Sequence, residues 1–293
     1  MIEQMKICPN CGKEHSNGEN NYCERCSARF EKWGNSSFLS DDGILSRKEN
    51  NPVAILIVNY NMQERTDALV ESIERRVKYP HATIVIDNGS DQQQPSQYTN
   101  VRIRPNIQTT GGWLEGIKAA QEIKPFAYWF LITSAEFPDG DYDPLAPMVE
   151  LLKAGAVGVH PALTIDSTTS WKHMIDRGTG KPRQTWMIDN IASLYRADWF
   201  DSIGRFDPAL LYAWGIDLET CWKARRDGLP LYIDERTQIK KITNIGYQMN
   251  RMGMTAQQRE QRAGANMAAV LTWRYGPNWW DRMTNEYVTE EMK

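Results

Sequence analysis

The sequence predicts an α/β domain built on a mainly parallel sheet and preceded by a small metal-stabilised module. Three observations carry this. Strand-like and helix-like segments alternate from residue 53 onward, the strand-like ones are continuous apolar runs of the kind buried on both faces, and four of the five cysteines fall between residues 8 and 26. A chain of 293 residues is long enough for one large α/β unit and an appendage. Its 34 basic and 37 acidic residues give a net charge of −3, so no global field recruits nucleic acid or anionic membrane. No apolar run reaches the length of a membrane span, and "MIEQMKICPN" lacks the charged-then-apolar layout of a signal peptide, so the expectation is a cytoplasmic protein. Eleven tryptophans are explained first by core and rim packing, although aromatic rings beside polar groups also make platforms for sugars.

The first element is "CPNCGKEHSNGENNYCERC", which places Cys8, Cys11, Cys23 and Cys26 as two CxxC knuckles, a spacing that matches a four-thiolate zinc site. Redox thiols and an iron centre are the alternatives. So short a segment builds no stable apolar core unaided, and metal would supply its folding energy. His15 lies between the knuckles, but four cysteines already fill a tetrahedron and leave no open position, so the zinc is read as structural. Residues 1–30 are therefore expected as a zinc ribbon, 31–51 as a polar, turn-rich linker, and 52–293 as the main domain. Cys221 stands alone and reads as a small core residue.

The main domain opens with a strand at 53–58 ("VAILIV"), a helix with apolar residues at helical spacing at 63–77, and a second buried strand at 82–86. The series continues with a strand at 101–103, a helix at 111–123, a strand at 127–132, a helix near 144–153 and a strand at 156–159. In such sheets ligands bind beyond the carboxyl ends of the strands. Those ends carry "NYN" (Asn59, Tyr60, Asn61), "DNGSD" (Asp87 to Asp91) and "TSAEF" with Glu136. Each alone is an ordinary turn sequence; three at successive strand ends point to a binding site. No GxGxxG follows the first strand and no GxxxxGK[ST] occurs, which argues against a dehydrogenase or a P-loop enzyme.

The stretch "ILIVNYNMQERTDALVESIERRVKYPHATIVIDNGSD" resembles the start of family 2 glycosyltransferases of the GT-A fold, in particular the rhamnosyltransferase-like branch. The likeness continues in "RPNIQTTGGWLEGIKAA", in "WFLITSAEFPD" at the family's acidic metal motif, in "SIGRFDPALLYAWGIDLETCWKARRDGLPLYI" and in "ANMAAVLTWRYGPNWW". It covers about residues 53 to 280 and excludes the cysteine module. The resemblance implies transfer of a sugar from a nucleotide-diphosphate donor to an acceptor hydroxyl with inversion. It further implies that Asn59, Tyr60, Asn61 and Asp87 line the nucleoside pocket and that Gly111 and Gly112 allow close backbone approach. Asn88, Trp113, Trp214 and Glu219 complete the implied substrate-binding positions. Glu136 would coordinate Mn2+ or Mg2+ on the donor diphosphate.

The chain departs from that pattern at several points. Ser134, Ala135 and Glu136 stand where the family's motif usually ends in Asp, the Glu-Asp pair reads Ile216-Asp217 with Glu219 following, and "TQIKKITNIGY" lacks a histidine often found there. Asp139, Asp141 and Asp143 form a second acidic set whose period of two suits an exposed turn. Lys240 and Lys241 are candidates for the phosphates, with solvated surface lysines as the simpler reading. In "DLETCWKARRDG" Leu218, Cys221 and Trp222 share an inward stripe and Gly228 stops the helix. Asp217 at its start reads either as an N-cap or, by the resemblance, as the general base, with Trp214 and Trp222 excluding water from it.

Two other functions remain open on the sequence: a non-catalytic nucleotide-sugar or glycan-binding protein on a degenerate transferase fold, and a transferase that the zinc ribbon targets to modified DNA bases or to a protein partner. Residues 164–186 are expected to form an acceptor or lid segment. The expected outcome for the cysteine module is about one zinc per chain by elemental analysis. Cys8→Ser with Cys11→Ser should disorder residues 1 to 30 and leave the main domain folded; a protein without zinc contradicts the assignment.

Overall fold

The computed structural model describes residues 6–7, 14–15, 51–242 and 253–293. Lys6–Ile7 (β1) and Glu14–His15 (β2) pair antiparallel, with Cys8 and Cys11 between them in sequence. The four zinc-ligand candidates and all of the expected linker but Asn51 lie outside the described residues.

The main sheet begins with β3 (Val53–Asn59), α1 (Gln63–Arg76) and β4 (His81–Asn88). Val53 to Ile57 are wholly buried, as a strand covered on both faces requires. Helix α1 turns Leu69, Val70 and Ile73 onto the sheet. Next come β5 (Thr99–Ile103), α2 (Gln108–Ala120), β6 (Ala127–Leu131), β7 (Ala135–Glu136), α3 (Ala146–Lys153) and β8 (Gly158–Leu163). After β8 the chain forms β9 (Pro182–Thr185), β10 (Leu194–Arg196), α4 (Ala197–Ser202), α5 (Ile216–Arg226) and β11 (Leu231–Lys241), then α6 (Ala256–Tyr275) and α7 (Trp279–Asn285).

The sheet order is β5-β4-β3-β6-β10-β8-β11-β7, with β9 also on β11. The first four strands are mutually parallel and β8 pairs parallel with β11. Between these blocks β10 runs antiparallel to both β6 and β8. Two reversals restore the direction, so the carboxyl ends of β3, β4, β6, β8 and β11 share one edge, and the residues just before β10 are delivered to that same edge.

Helix α2 rides close to the sheet because it carries glycines where it touches. A Cβ on Gly116 would come within 2.6 Å of Ile86 Cδ1, and one on Gly112 within 2.9 Å of Val58 Cγ1. Trp113 then packs edge-on to Phe130 (centroids 5.5 Å apart) and against Phe206, in a core that includes Tyr195 and Phe200. This corrects the expectation that Trp113 binds substrate: it is 1% exposed and serves the core.

Two elements differ most from the sequence reading in their boundaries. Helix α2 starts at Gln108 rather than 111 and ends at Ala120, followed by one 3-10 turn. Strand β8 runs to Leu163 through Pro161, a residue that argues against a central strand because it has no N–H to give a ladder. The pairing there is irregular: the Ala192 N–H, just ahead of β10, donates to His160 Nε2 (3.1 Å). Burial holds that imidazole down at about 3, so the ring stays neutral and free to accept.

At Gly158 an added Cβ would lie 2.7 Å from Leu231 Cδ2, 3.0 Å from Tyr195 Cε1 and 3.1 Å from Ile188 Cδ1. Gly158→Ala should therefore cost roughly 1–3 kcal/mol in chemical denaturation, the usual penalty for overpacking. Unchanged stability would contradict this close packing of β8, β10 and β11.

Candidate functional site

The shared edge is organised by asparagines. Asn59, the last residue of β3 and register partner of Asp87, donates from Nδ2 to Asp87 Oδ1 (3.1 Å) and accepts at Oδ1 from the Met62 N–H (3.1 Å) and the Thr66 hydroxyl (3.0 Å). Asn61 adopts φ 52°, a left-handed conformation that Asn tolerates. Its Oδ1 accepts from the backbone N–H groups of Asp91, Gln92 and Gln93, and its Nδ2 donates to Asp91 Oδ1 (2.8 Å). Asn88 closes the other side, accepting from Ile107 N–H (3.0 Å) and donating to Gln108 O (2.9 Å).

The loops so braced wall a cavity of about 870 Å3 lined by Tyr60, Asp91, Gln92, Arg102, Arg104 and Asn106, among others. Its size falls in the range of small-molecule sites. Tyr60 is on the wall, whereas Asn59 and Asp87 are fully buried behind it. Asp87 Oδ2 makes no hydrogen bond; it lies 3.7 Å from Nε of Arg102, the side chain that does reach the cavity. The "NYN" and "DNGS" segments thus act mainly by holding the wall in place. Gly112 abuts Val58 and Asn88, and Gly111 abuts Ile107, so the close approach both glycines permit is that of helix to sheet and loop.

Farther along the edge stands Asp217. It is the second residue of α5, after Gly215 at φ 86°, so Gly215 and not Asp217 occupies the cap position. The loop before α5 is tied to the edge: Thr110 N–H donates to Leu211 O (3.2 Å) and Ala213 N–H to Thr110 Oγ1 (3.1 Å). Asp217 is 8% exposed. Burial pushes its carboxyl up to about 7, and the charge of Asp189 pushes the same way. Backbone N–H groups at the helix start, including Leu218 at 2.9 Å from Oδ1, pull downward and lose. Asp189 itself is raised by burial and eased by Lys241.

Asp189 and Lys241 arrive by topology. Ile132 N–H donates to Ile191 O (3.1 Å), which sets residues 189–191 beside the carboxyl end of β6, and Ile242 N–H donates to Ser134 O (2.9 Å), which sets the end of β11 there too. The sequence reading missed Asp189 because it contained no β10; an antiparallel strand at "SLYR" would have placed "MIDN" at this edge.

Other expected positions take different roles. Glu219, 1% exposed, accepts from the Tyr275 hydroxyl (2.5 Å) and lies 3.4 Å from Lys223 Nζ. Asp207 belongs to the same buried group, pushed up to about 6 by burial and then by Glu219, with Arg274 Nε at 2.7 Å opposing. Glu219 therefore binds α5 to α6 and not to substrate. Trp222 donates from Nε1 to Glu286 (3.0 Å) and packs on Tyr275, away from Asp217, so it does not shield that carboxylate; Cys221 and Tyr195 are its buried neighbours. Trp214 is 40% exposed and flanks the loop beside α6.

Glu136 ends β7 opposite Lys240, with its side chain half exposed and Arg65 Nη1 at 3.0 Å from Oε1. The second acidic set does not join it. Asp143 accepts four backbone N–H groups, from Lys78, Tyr79, Leu145 and Ala146, in the turn that enters β4 at the far end of that strand from Asp87. Asp139 and Asp141 are exposed on the same turn. Among the described residues no group of three His, Cys, Asp or Glu side chains could hold a metal. Glu136 thus stands as a single carboxylate on this turn, beside Arg65 and opposite Lys240.

No family profile and no curated protein matches the sequence. Solved structures do match in fold. GalNAc-T7 in a crystal structure with UDP, GalNAc and Mn2+ aligns at 15% identity and TM-score 0.52, over 66% of this chain; the chain spans only 43% of that protein. The mannosyltransferase PcManGT from Pyrobaculum calidifontis, in complex with GDP-Man and Mn2+, aligns at 12% identity and TM-score 0.51, over 88% of this chain and 80% of its own. The main domain has the GT-A fold of nucleotide-sugar transferases.

Asn61→Gly keeps the left-handed backbone and deletes the side chain that gathers three N–H groups. It should destabilise by roughly 1–3 kcal/mol in urea, the cost of leaving such partners unmade. Wild-type stability would show that Asn61 does not brace the cavity wall.

Proposed function

We propose that the chain is an inverting glycosyltransferase that moves a sugar from a nucleotide-diphosphate donor to an acceptor hydroxyl, with Asp217 as general base. The observation that carries this reading is a buried carboxylate poised at about 7, at the ligand edge of a GT-A sheet and beyond a cavity of nucleotide size. The two similar proteins, solved with UDP and with GDP-Man, support a donor of that class.

The chemistry follows from the charges. The acceptor oxygen attacks the anomeric carbon from the face opposite the diphosphate, its proton passes to Asp217, and the bond from that carbon to the phosphate oxygen breaks. A base works best when its pKa lies near the working pH, and burial brings Asp217 there from 3.8. Asp189 adds a second carboxylate whose repulsion keeps the pair from ionising together at low pH. Tyr60, Arg102 and Arg104 hold the nucleoside side of the donor. Residues 1–30 form a separate zinc-bound module in this reading, which fixes no acceptor.

Asp217→Asn preserves size and should lower turnover by roughly 10²–10⁴, the contribution of a positioned base, with donor affinity changed by no more than a few fold. Because Asp217 must be ionised to accept a proton, wild-type kcat/KM should rise with pH through about 7. That limb belongs to the Asp189–Asp217 pair and should vanish in the Asn variant. Near-wild-type turnover in Asp217→Asn removes the residue from the mechanism. Donor binding without release of nucleoside diphosphate, across acceptors, would mark a binding protein instead.

A further inference from the structure

We infer that this chain holds the diphosphate of its donor without a divalent cation, with Lys241 supplying the countercharge. The inference rests on the glycosyltransferase reading above and concerns one part of that site, the turn at Ser134–Glu136 and the strand end beside it.

Carboxylates are scarce at this turn. A hard dication needs several oxygen donors, of which protein carboxylates supply one or two. Here Glu136 is the one carboxylate on the turn, with Arg65 at 3.0 Å and Lys240 opposite it in the ladder. Lys240 in turn is held by Asp166. The residues that follow β11, "ITNIGYQMNRM" from 242 to 252, contain no Asp, Glu, His or Cys, so that segment adds no carboxylate, imidazole or thiolate. A dication placed beside Glu136 would have to displace the Arg65 guanidinium from that carboxylate.

The basic side is Lys241. It is half-buried at the end of β11, paired in register with Ala135. Its backbone is fixed twice, by donation of its N–H to Ser167 Oγ (3.0 Å) and by acceptance at its carbonyl from Thr168 N–H (3.4 Å). Unlike Lys240, it has no carboxylate within 4.0 Å of its ammonium among the described residues. Asp189 feels its charge, which sets it on the same side of the edge as the proposed base. A lysine with its backbone pinned and no carboxylate so close among the described residues, next to a strand-end turn, is a point charge suited to phosphate.

In the transfer step the bond from the anomeric carbon to the phosphate oxygen breaks with both electrons going to that oxygen. The acceptor oxygen forms the new bond, and its proton goes to Asp217. The charge gained by the departing diphosphate falls beside the Lys241 ammonium, with the α1 residue Arg65 on the far side of Glu136. Fixed positive groups of this kind offset developing charge without having to reorganise.

The test is calorimetric titration of the full chain with UDP, GDP, ADP, CDP and dTDP. Buffer is freed of Mn2+ and Mg2+ on a chelating resin, and elemental analysis confirms that the chain's own metal is unchanged. At least one nucleoside diphosphate should bind, with affinity altered less than threefold by added Mn2+ or Mg2+. Lys241→Gln should weaken that binding tenfold or more with no rescue by Mn2+, while Lys241→Arg stays within threefold and Lys240→Gln changes little. Binding that appears only with Mn2+ or Mg2+, or rises tenfold with either, overturns the inference and leaves the glycosyltransferase reading standing. Unchanged affinity in a folded Lys241→Gln variant overturns the role of Lys241. Failure of every nucleoside diphosphate to bind, with or without metal, overturns both.

Discussion

The arrangement of the molecule depends on one reversed strand. Three residues, Leu194–Arg196, are wedged antiparallel between β6 and β8, and the placement of β8, β11 and residues 189–191 on the ligand edge follows from that insertion. Without it the parallel block β5-β4-β3-β6 would end at an open side. With it, β8 and β11 extend the sheet in the original direction, and the polar residues ahead of β10 come to the edge where the parallel strands finish. The wedge is held by burial: Leu194 and Tyr195 are wholly inside, and Tyr195 stacks on Phe200 with centroids 5.3 Å apart.

The edge divides into three zones with different physics. At β3 and β4, amide side chains saturate backbone N–H groups and hold a cavity wall, a task that needs geometry more than charge. At β6 and β11, Glu136 and Asp166 are each engaged by a cation, Arg65 and Lys240, and the Lys241 ammonium has no carboxylate within 4.0 Å among the described residues. At the start of α5, a carboxylate is kept out of water against the pull of a helix N-terminus, and burial decides the outcome because the desolvation cost exceeds what a few N–H groups return. The buried group around Glu219 and Asp207 has similar composition but its carboxylates are already matched by Lys223, Arg274 and the Tyr275 hydroxyl, and it fastens α6 to α5.

Much of the parallel half was legible in the sequence, because a strand buried on both faces shows as an unbroken apolar run and its end as the first polar residues after it. "VAILIV" followed by "NYN" and "ATIVI" followed by "DNGSD" needed no other information. The other half was hidden. Proline at 161 hides the second half of β8, charges at Asp234 and Glu235 mask β11, and three residues of β10 are too few to show a period. Both charges in β11 are satisfied internally, Asp234 by Arg236 and Glu235 by Arg183 and Thr179, which only the folded arrangement reveals. For the same reason Asp217 was visible as a candidate while Asp189, which helps set its proton affinity, was not. Trp113 and Glu219, substrate-binding positions by the resemblance, face the core and α6, a matter of helix phase that side-chain type does not encode.

The central claim is that Asp217 is held near neutrality by its surroundings, ready to take a proton. The most direct measurement is a carbon-13 NMR titration of the aspartate carboxyl groups, with the Asp217 resonance identified by its loss in Asp217→Asn. The account predicts a midpoint near 7 for that resonance, coupled to a second transition from Asp189. A midpoint near the ordinary aspartate value of about 4 would contradict it.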